Sequence, residues 1–92
     1  NLIACPYKFK QIAEALGENV TGLSTSAAAR KAIDAVRSLT RDIGLSKNLS
    51  EVGLKEECIP ELSRNALNDA CLITNPRDAD EKDLTEIYRR AL

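Results

Sequence analysis

The sequence predicts an all-α fold: a bundle of four main helices plus one short helical turn. Three observations carry that expectation. Apolar residues in each long segment recur at the three- and four-residue spacing that lines one face of a helix. Gly, Pro, Ser and Asp stand where helices should begin and stop. No segment alternates apolar and polar residues with period two for long enough to form a strand.

Each element can be justified in order. Pro6 opens the first helix, because the first turn has no use for the N–H that proline lacks. Phe9, Ile12, Ala13 and Leu16 make one apolar stripe, and Gly17 ends it. A short polar linker, Glu18 to Leu23, follows. Ser24 or Thr25 then caps a longer helix, roughly Ser26 to Ile43. Its face holds Ala29, Ala32, Ile33, Val36, Leu39, Thr40 and Ile43, and its alanines permit close approach of a neighbour. Gly44 ends it. Leu45 to Gly53 holds a short amphipathic turn, with Leu49 and Val52 facing inward. A further segment begins around Glu56 to Pro60 and continues to Asn68, with Ile59, Leu62, Ala66 and Leu67 as its apolar positions. Pro60 sits in its first turn or divides a leading turn from the main helix. An unbroken loop then carries Cys71. Asp80 caps the last helix, Glu81 to Ala91, with Asp83 where a capping box prefers Glu. Leu84, Ile87, Tyr88 and Ala91 form its buried stripe, and Arg89 and Arg90 complement its negative end.

Composition narrows the function classes. A chain of 92 residues suits one small domain. No internal boundary marks a second, so residues 1–92 are expected to form a single helical subdomain. Hydrophobic residues at 43 % and charged residues at 29 % fit a globular chain rather than a disordered one. Aromatics at 3 % leave the core to Leu, Ile, Val and Ala. A net charge of −1 with interspersed signs argues against nucleic acid, which needs a basic surface. No apolar run approaches the roughly 20 residues of a membrane span. Cys5, Cys58 and Cys71 are odd in number and widely spaced, which suits reduced thiols in a cytoplasmic protein better than a disulfide or zinc framework. The count of zero histidines removes the commonest general base and metal ligand together. The chain opens at Asn1 and contains no methionine, not even an initiator, and so reads as a piece of something longer.

Few residues are candidates for chemistry. Cys71 is either a small packed hydrophobe or a thiol lining a pocket at a helix exit. No histidine is present to activate it, so it is not assigned as a nucleophile. Asn75, Pro76 and Arg77 read first as a structural turn: the residue before proline is pushed out of the helical region, and Arg77 can clamp a carboxylate or helix carbonyls. Glu56–Glu57 and the group Asp78, Asp80, Asp83 read as solvated faces or helix starts rather than metal ligands. Gly22–Leu23–Ser24 and Gly44–Leu45–Ser46 mark helix boundaries, not phosphate loops. The residues alone describe a helical unit with no self-contained active site.

Asn1–Leu2–Ile3 leading to Pro6 and Phe9 opens a series of signatures that runs through the chain. It continues with Ile12 to Gly17, Asp42 to Leu45, Val52 to Glu57, Asp69–Ala70–Cys71 and Thr74 to Arg77. In that order and spacing, the chain resembles the C-terminal end of the iron-containing (group III) alcohol dehydrogenases over essentially all its residues. The segment Gly17 to Thr25 is similar to the branch with 1,3-propanediol and methanol dehydrogenases.

The resemblance implies the distal part of the dehydroquinate synthase-like helical domain of a two-domain enzyme. That enzyme's N-terminal α/β domain binds a nicotinamide dinucleotide. Its metal, Fe2+ or Zn2+, is held by one Asp and three His upstream of the segment that begins with Asn1. It would polarise an alcohol oxygen while hydride passes to NAD(P). No catalytic residue, metal ligand or cofactor site is expected in the chain itself. Cys71 is implied as a wall of the substrate and cofactor pocket, with Asn75, Pro76 and Arg77 as its structural brace. The implied partners are the missing N-terminal part, a small alcohol or aldehyde, and further copies in a homo-oligomer. The competing expectation is a free-standing helical interaction module. An acyl-carrier-like version needs an Asp-Ser-Leu setting, which neither Ser24 nor Ser46 supplies.

Overall fold

The computed structural model describes every residue except Ser46, and any part of the Leu45–Gly53 or Gly44–Ser46 expectations that falls there lies outside the described residues. Four α-helices form: α1 (Pro6–Ala15), α2 (Thr25–Asp42), α3 (Ile59–Leu67) and α4 (Glu81–Ala91). Short 3-10 turns occupy Ser50–Val52, Glu56–Cys58 and Ala70–Thr74, and no strand occurs among the described residues. The expected all-α class is what the chain adopts. Its contacts gather into two compact units, Asn1–Leu45 and Ser46–Leu92, each with its own helix pair.

In the first unit, helix limits follow from local chemistry. Pro6 stands in the first turn of α1. The hydroxyl of Ser24 accepts the Ala27 N–H at 3.1 Å, which decides between the two cap candidates of α2. Gly17 and Gly44 leave their helices at φ 85° and 76°, a left-handed conformation that costs other residues energy. Ala13, Val20, Ala28 and Ala32 form the core, with Phe9 packed against it. Small side chains let α1 and α2 approach closely; Ala28 and Ala29 are wholly buried. The large residues of the expected stripes behave differently. Ile12, Leu16, Val36, Leu39 and Ile43 are all exposed. Periodicity located the apolar face, but of its residues in α1 and α2 only alanines are fully buried, with Phe9 and Ile33 partly covered.

The second unit pairs α3 with α4. Ile59 is 1 % exposed, and Leu84 is buried with it in the same unit. Ser63 is fully buried, and its hydroxyl oxygen accepts a hydrogen bond from Thr85 Oγ1 at 3.1 Å. A buried hydroxyl so satisfied costs little, whereas one without a partner would be expensive. Pro60 lies in the first turn of α3, directly after the 3-10 turn at Glu56–Cys58. Both readings of Pro60 therefore hold in part. Backbone N–H groups of Leu49 and Ser50 donate to the carbonyls of Ala91 and Leu92 at 2.7 and 3.3 Å, tying the linking segment to the end of α4.

Three expectations need correction. Val52, at the end of the 3-10 turn Ser50–Val52, is exposed rather than inward, whereas Leu49 just before the turn is half-buried. Ile87 is exposed too, so the buried face of α4 is narrower than its apolar stripe. The stretch around Cys71 is not a plain loop but a five-residue 3-10 helix.

Candidate functional site

The candidate site lies between the end of α3 and the start of α4, and its shape is set by short side chains bonding their own backbone. Asn68 caps α3, its side-chain amide donating to the Arg64 carbonyl at 3.2 Å. Asp69 then starts the 3-10 turn: its Oδ1 accepts the Cys71 N–H at 2.8 Å. The turn closes through Leu72 N–H to the Asp69 carbonyl at 3.0 Å and Asn75 N–H to the Leu72 carbonyl at 3.1 Å. Thr74 Oγ1 also donates to the Cys71 carbonyl at 3.0 Å. Five residues are thus fixed by four local bonds, which presents the side chains of Cys71 and Ile73 outward.

Asp69 dominates the electrostatics at Cys71. The Cys71 backbone N–H holds the Asp69 carboxyl below its ordinary range. In return, hydrogen bonding to that carboxylate, and then its negative charge, push the Cys71 thiol upward. A raised thiol is protonated and poorly nucleophilic at neutral pH, because the thiolate is the reactive form. The turn therefore does not activate the Cys71 thiol.

Asn75, Pro76 and Arg77 follow directly. Asn75 is extended (φ −66°, ψ 134°), as a residue before proline prefers, and its side-chain amide donates to the Arg77 carbonyl. Arg77 Nη2 donates to Asp83 Oδ1 at 3.0 Å. The other Asp83 oxygen accepts the Asp80 N–H at 3.3 Å, while Asp80 Oδ1 accepts the Asp83 N–H at 2.8 Å. The capping box forms with Asp in the place where Glu was the expected residue. One carboxylate thus joins the helix cap to the arginine, and the Asp80 N–H, followed by the Arg77 bond, holds Asp83 well ionised. Sequence reasoning found Arg77 but not its partner. The Asp80-x-x-Asp83 spacing was the available signal, and so was Asp69 two residues before Cys71.

Leu67, Asn68, Asp69, Ala70, Leu72 and Ile73, with Asp78 and Ala79, line an open concavity of about 590 Å³ beside this turn. Cys71 is not among its lining residues. A larger hollow, about 790 Å³, runs over the charged outer surface of α4 from Asp80 to Arg89. Its lining is solvated ionic surface and brings together no catalytic set. Among the described residues, no three His, Cys, Asp or Glu side chains converge as a metal site. No helix among the described residues is long and apolar enough to cross a membrane.

These features define a helical chain whose turn before α4 is held by local hydrogen bonds and by the Arg77–Asp83 ion pair. Comparison with known proteins specifies its kind. The chain belongs to the iron-containing alcohol dehydrogenase family: the family description "Fe-containing alcohol dehydrogenase family, C-terminal" matches residues 1–92. It is 47 % identical over 91 residues to 1,3-propanediol dehydrogenase of Klebsiella pneumoniae, covering 99 % of this chain and 24 % of that protein. It is also 47 % identical over 92 residues to NAD-dependent methanol dehydrogenase of Bacillus methanolicus, covering 100 % of this chain and 24 % of the relative. The crystal structure of a 1,3-propanediol oxidoreductase superposes with a TM-score of 0.96 at 46 % identity, over 99 % of this chain and 24 % of that one. The chain therefore spans about a quarter of the length of the relatives it matches.

Proposed function

We propose that residues 1–92 are the distal part of the helical domain of a metal-dependent, NAD(P)-linked alcohol dehydrogenase that interconverts a small alcohol and its aldehyde by hydride transfer. The observation that carries this reading is the family match across the whole chain, with 47 % identity to two dehydrogenases whose names specify propanediol and methanol. In this reading iron (or zinc) and NAD(P) are held by residues outside the chain, which is catalytically inert alone. The chain belongs to one helical subdomain and works together with the N-terminal remainder of the same enzyme. The complete protein is a cytoplasmic homo-oligomer that engages neither nucleic acid nor membrane.

The chain's own contribution is architectural. Cys71 forms part of the wall of the substrate and cofactor pocket, and Asn75, Pro76 and Arg77 hold that wall against α4 through Asp83. Two features support the assignment: the hydrogen-bonded turn presents Cys71 outward, and its thiol is raised rather than activated. A free-standing interaction module is the alternative. It calls for a monomer without an exposed apolar face, and the exposed Val36, Leu39 and Ile43 weigh against it.

The test is an assay of the complete gene product, loaded with iron, for reduction of NAD(P)+ by propane-1,3-diol, methanol and related short alcohols. Alcohol-dependent reduction is expected. A well-folded, iron-loaded protein that reduces no cofactor with any short alcohol would refute the reading.

A further inference from the structure

The Cys71 peptide is gripped from both sides by side chains of its own turn. At the start of a helix the first backbone N–H groups have no carbonyl behind them to bond. Cys71 stands second in the Ala70–Thr74 turn, and Asp69, directly before that turn, supplies the missing acceptor: its Oδ1 takes the Cys71 N–H at 2.8 Å. On the other side, Thr74 Oγ1 donates to the Cys71 carbonyl at 3.0 Å. A bond to a carboxylate is about twice as strong as one between neutral groups, so Asp69 is the main anchor. The chain beyond the turn is held separately, by Arg77 Nη2 to Asp83 Oδ1 at 3.0 Å. Of the turn's residues only Leu72 is half-buried, while Ala70, Cys71, Ile73 and Thr74 are exposed. Core packing therefore does little to decide where Cys71 stands. The local hydrogen bonds do.

We propose that Asp69 is the positioning residue of the pocket wall: by accepting the Cys71 N–H it sets the place of the Cys71 side chain and, through it, the fit of the alcohol. This rests on the proposed placement of Cys71 in the substrate and cofactor pocket. What the turn requires at position 69 is an acceptor at the right reach, not a negative charge. Asp and Asn both carry an oxygen that bonds the backbone two residues on. The extra methylene of Glu moves its carboxylate out of that short ring. A displaced wall weakens binding of the ground state and the transition state alike, so the effect falls on KM more than on kcat.

The test uses the complete gene product, loaded with iron, and short alcohols from methanol to propane-1,3-diol. Asp69→Ala and Asp69→Glu should each raise KM roughly three- to tenfold with kcat within about twofold of wild type. Asp69→Asn should rescue KM to near the wild-type value. The same Asn variant should lower the midpoint of Cys71 alkylation, because it keeps the bond and loses the charge. Asp69→Ala combined with Cys71→Ala should raise KM by less than the product of the two single effects, since both act through one side chain. Should Asp69→Ala fail to fold, Asp69→Glu carries the same comparison. With wild-type turnover and a Cys71→Ala change in KM both in hand, three results would overturn this inference alone. They are unaltered KM in the Ala and Glu variants, an Asn variant as impaired as Ala, and independent, fully multiplying effects of positions 69 and 71. A wild-type protein that oxidises none of these alcohols refutes the dehydrogenase reading and this inference with it. Unaltered KM in Cys71→Ala refutes the pocket-wall assignment, and the inference falls with that too.

Discussion

Replacing Ile59 with alanine should cost about 3 kcal/mol of stability, a figure that follows from its surroundings. Ile59 is 1 % exposed and is the largest fully buried side chain among the described residues. The substitution removes three carbon atoms, and each buried carbon contributes about 0.8 kcal/mol through transfer from water, or roughly 2.4 kcal/mol together. The cavity left behind adds to this, and a small helix pair with partly open edges can relax to reduce it. The sum falls in the lower half of the roughly 2–5 kcal/mol observed for such truncations. Urea unfolding followed by far-UV circular dichroism measures the loss. The matched control is Ile87→Ala, exposed on α4, which should stay within about 0.5 kcal/mol of wild type. A loss at Ile59 below about 1 kcal/mol, or equal losses at the two sites, would refute the α3–α4 packing described above.

Three other outcomes are expected. Asp80→Ala should lower stability by about 1 kcal/mol and speed exchange of the amides at the start of α4, because it removes the acceptor for the Asp83 N–H. Alkylation of Cys71 should rise with a midpoint above the ordinary thiol value, and Asp69→Asn should bring that midpoint down. The Cys71 pKa is raised on folding, so its stabilising contribution is present below the ordinary thiol pKa and fades as pH climbs through the folded value. An unchanged alkylation midpoint in Asp69→Asn would disprove the Asp69 effect. In the complete enzyme, Cys71→Ala should alter KM for the alcohol while leaving appreciable turnover. Abolished turnover with the fold intact would instead assign Cys71 a chemical role.

Much of the helical framework was legible because its boundaries are written in local chemistry. Pro6, Gly17, Ser24, Gly44 and Asp80 act within a turn or two of themselves, and the helices they delimit form nearly as expected. Burial was less legible, since it depends on a neighbour rather than on the segment. The stripes of α2 and α4 are real, yet Leu39, Ile43 and Ile87 remain exposed while Ala28 is fully enclosed. Ser63 shows the same limitation from the polar side: nothing near it in sequence reveals that Thr85 satisfies its hydroxyl 22 residues later. At the candidate site, Cys71, Asn75, Pro76 and Arg77 could be singled out, but the bonds that organise them come from Asp69 and Asp83. Those two aspartates are recognisable only as cap-forming residues until the turn is folded.

The division of labour proposed here is tested most directly by assaying the purified 92-residue chain with iron, NAD(P)+ and propane-1,3-diol. Cofactor reduction should remain at background if, as proposed, the chain supplies a braced pocket wall and not the chemistry. Alcohol-dependent turnover by the chain on its own would contradict that division.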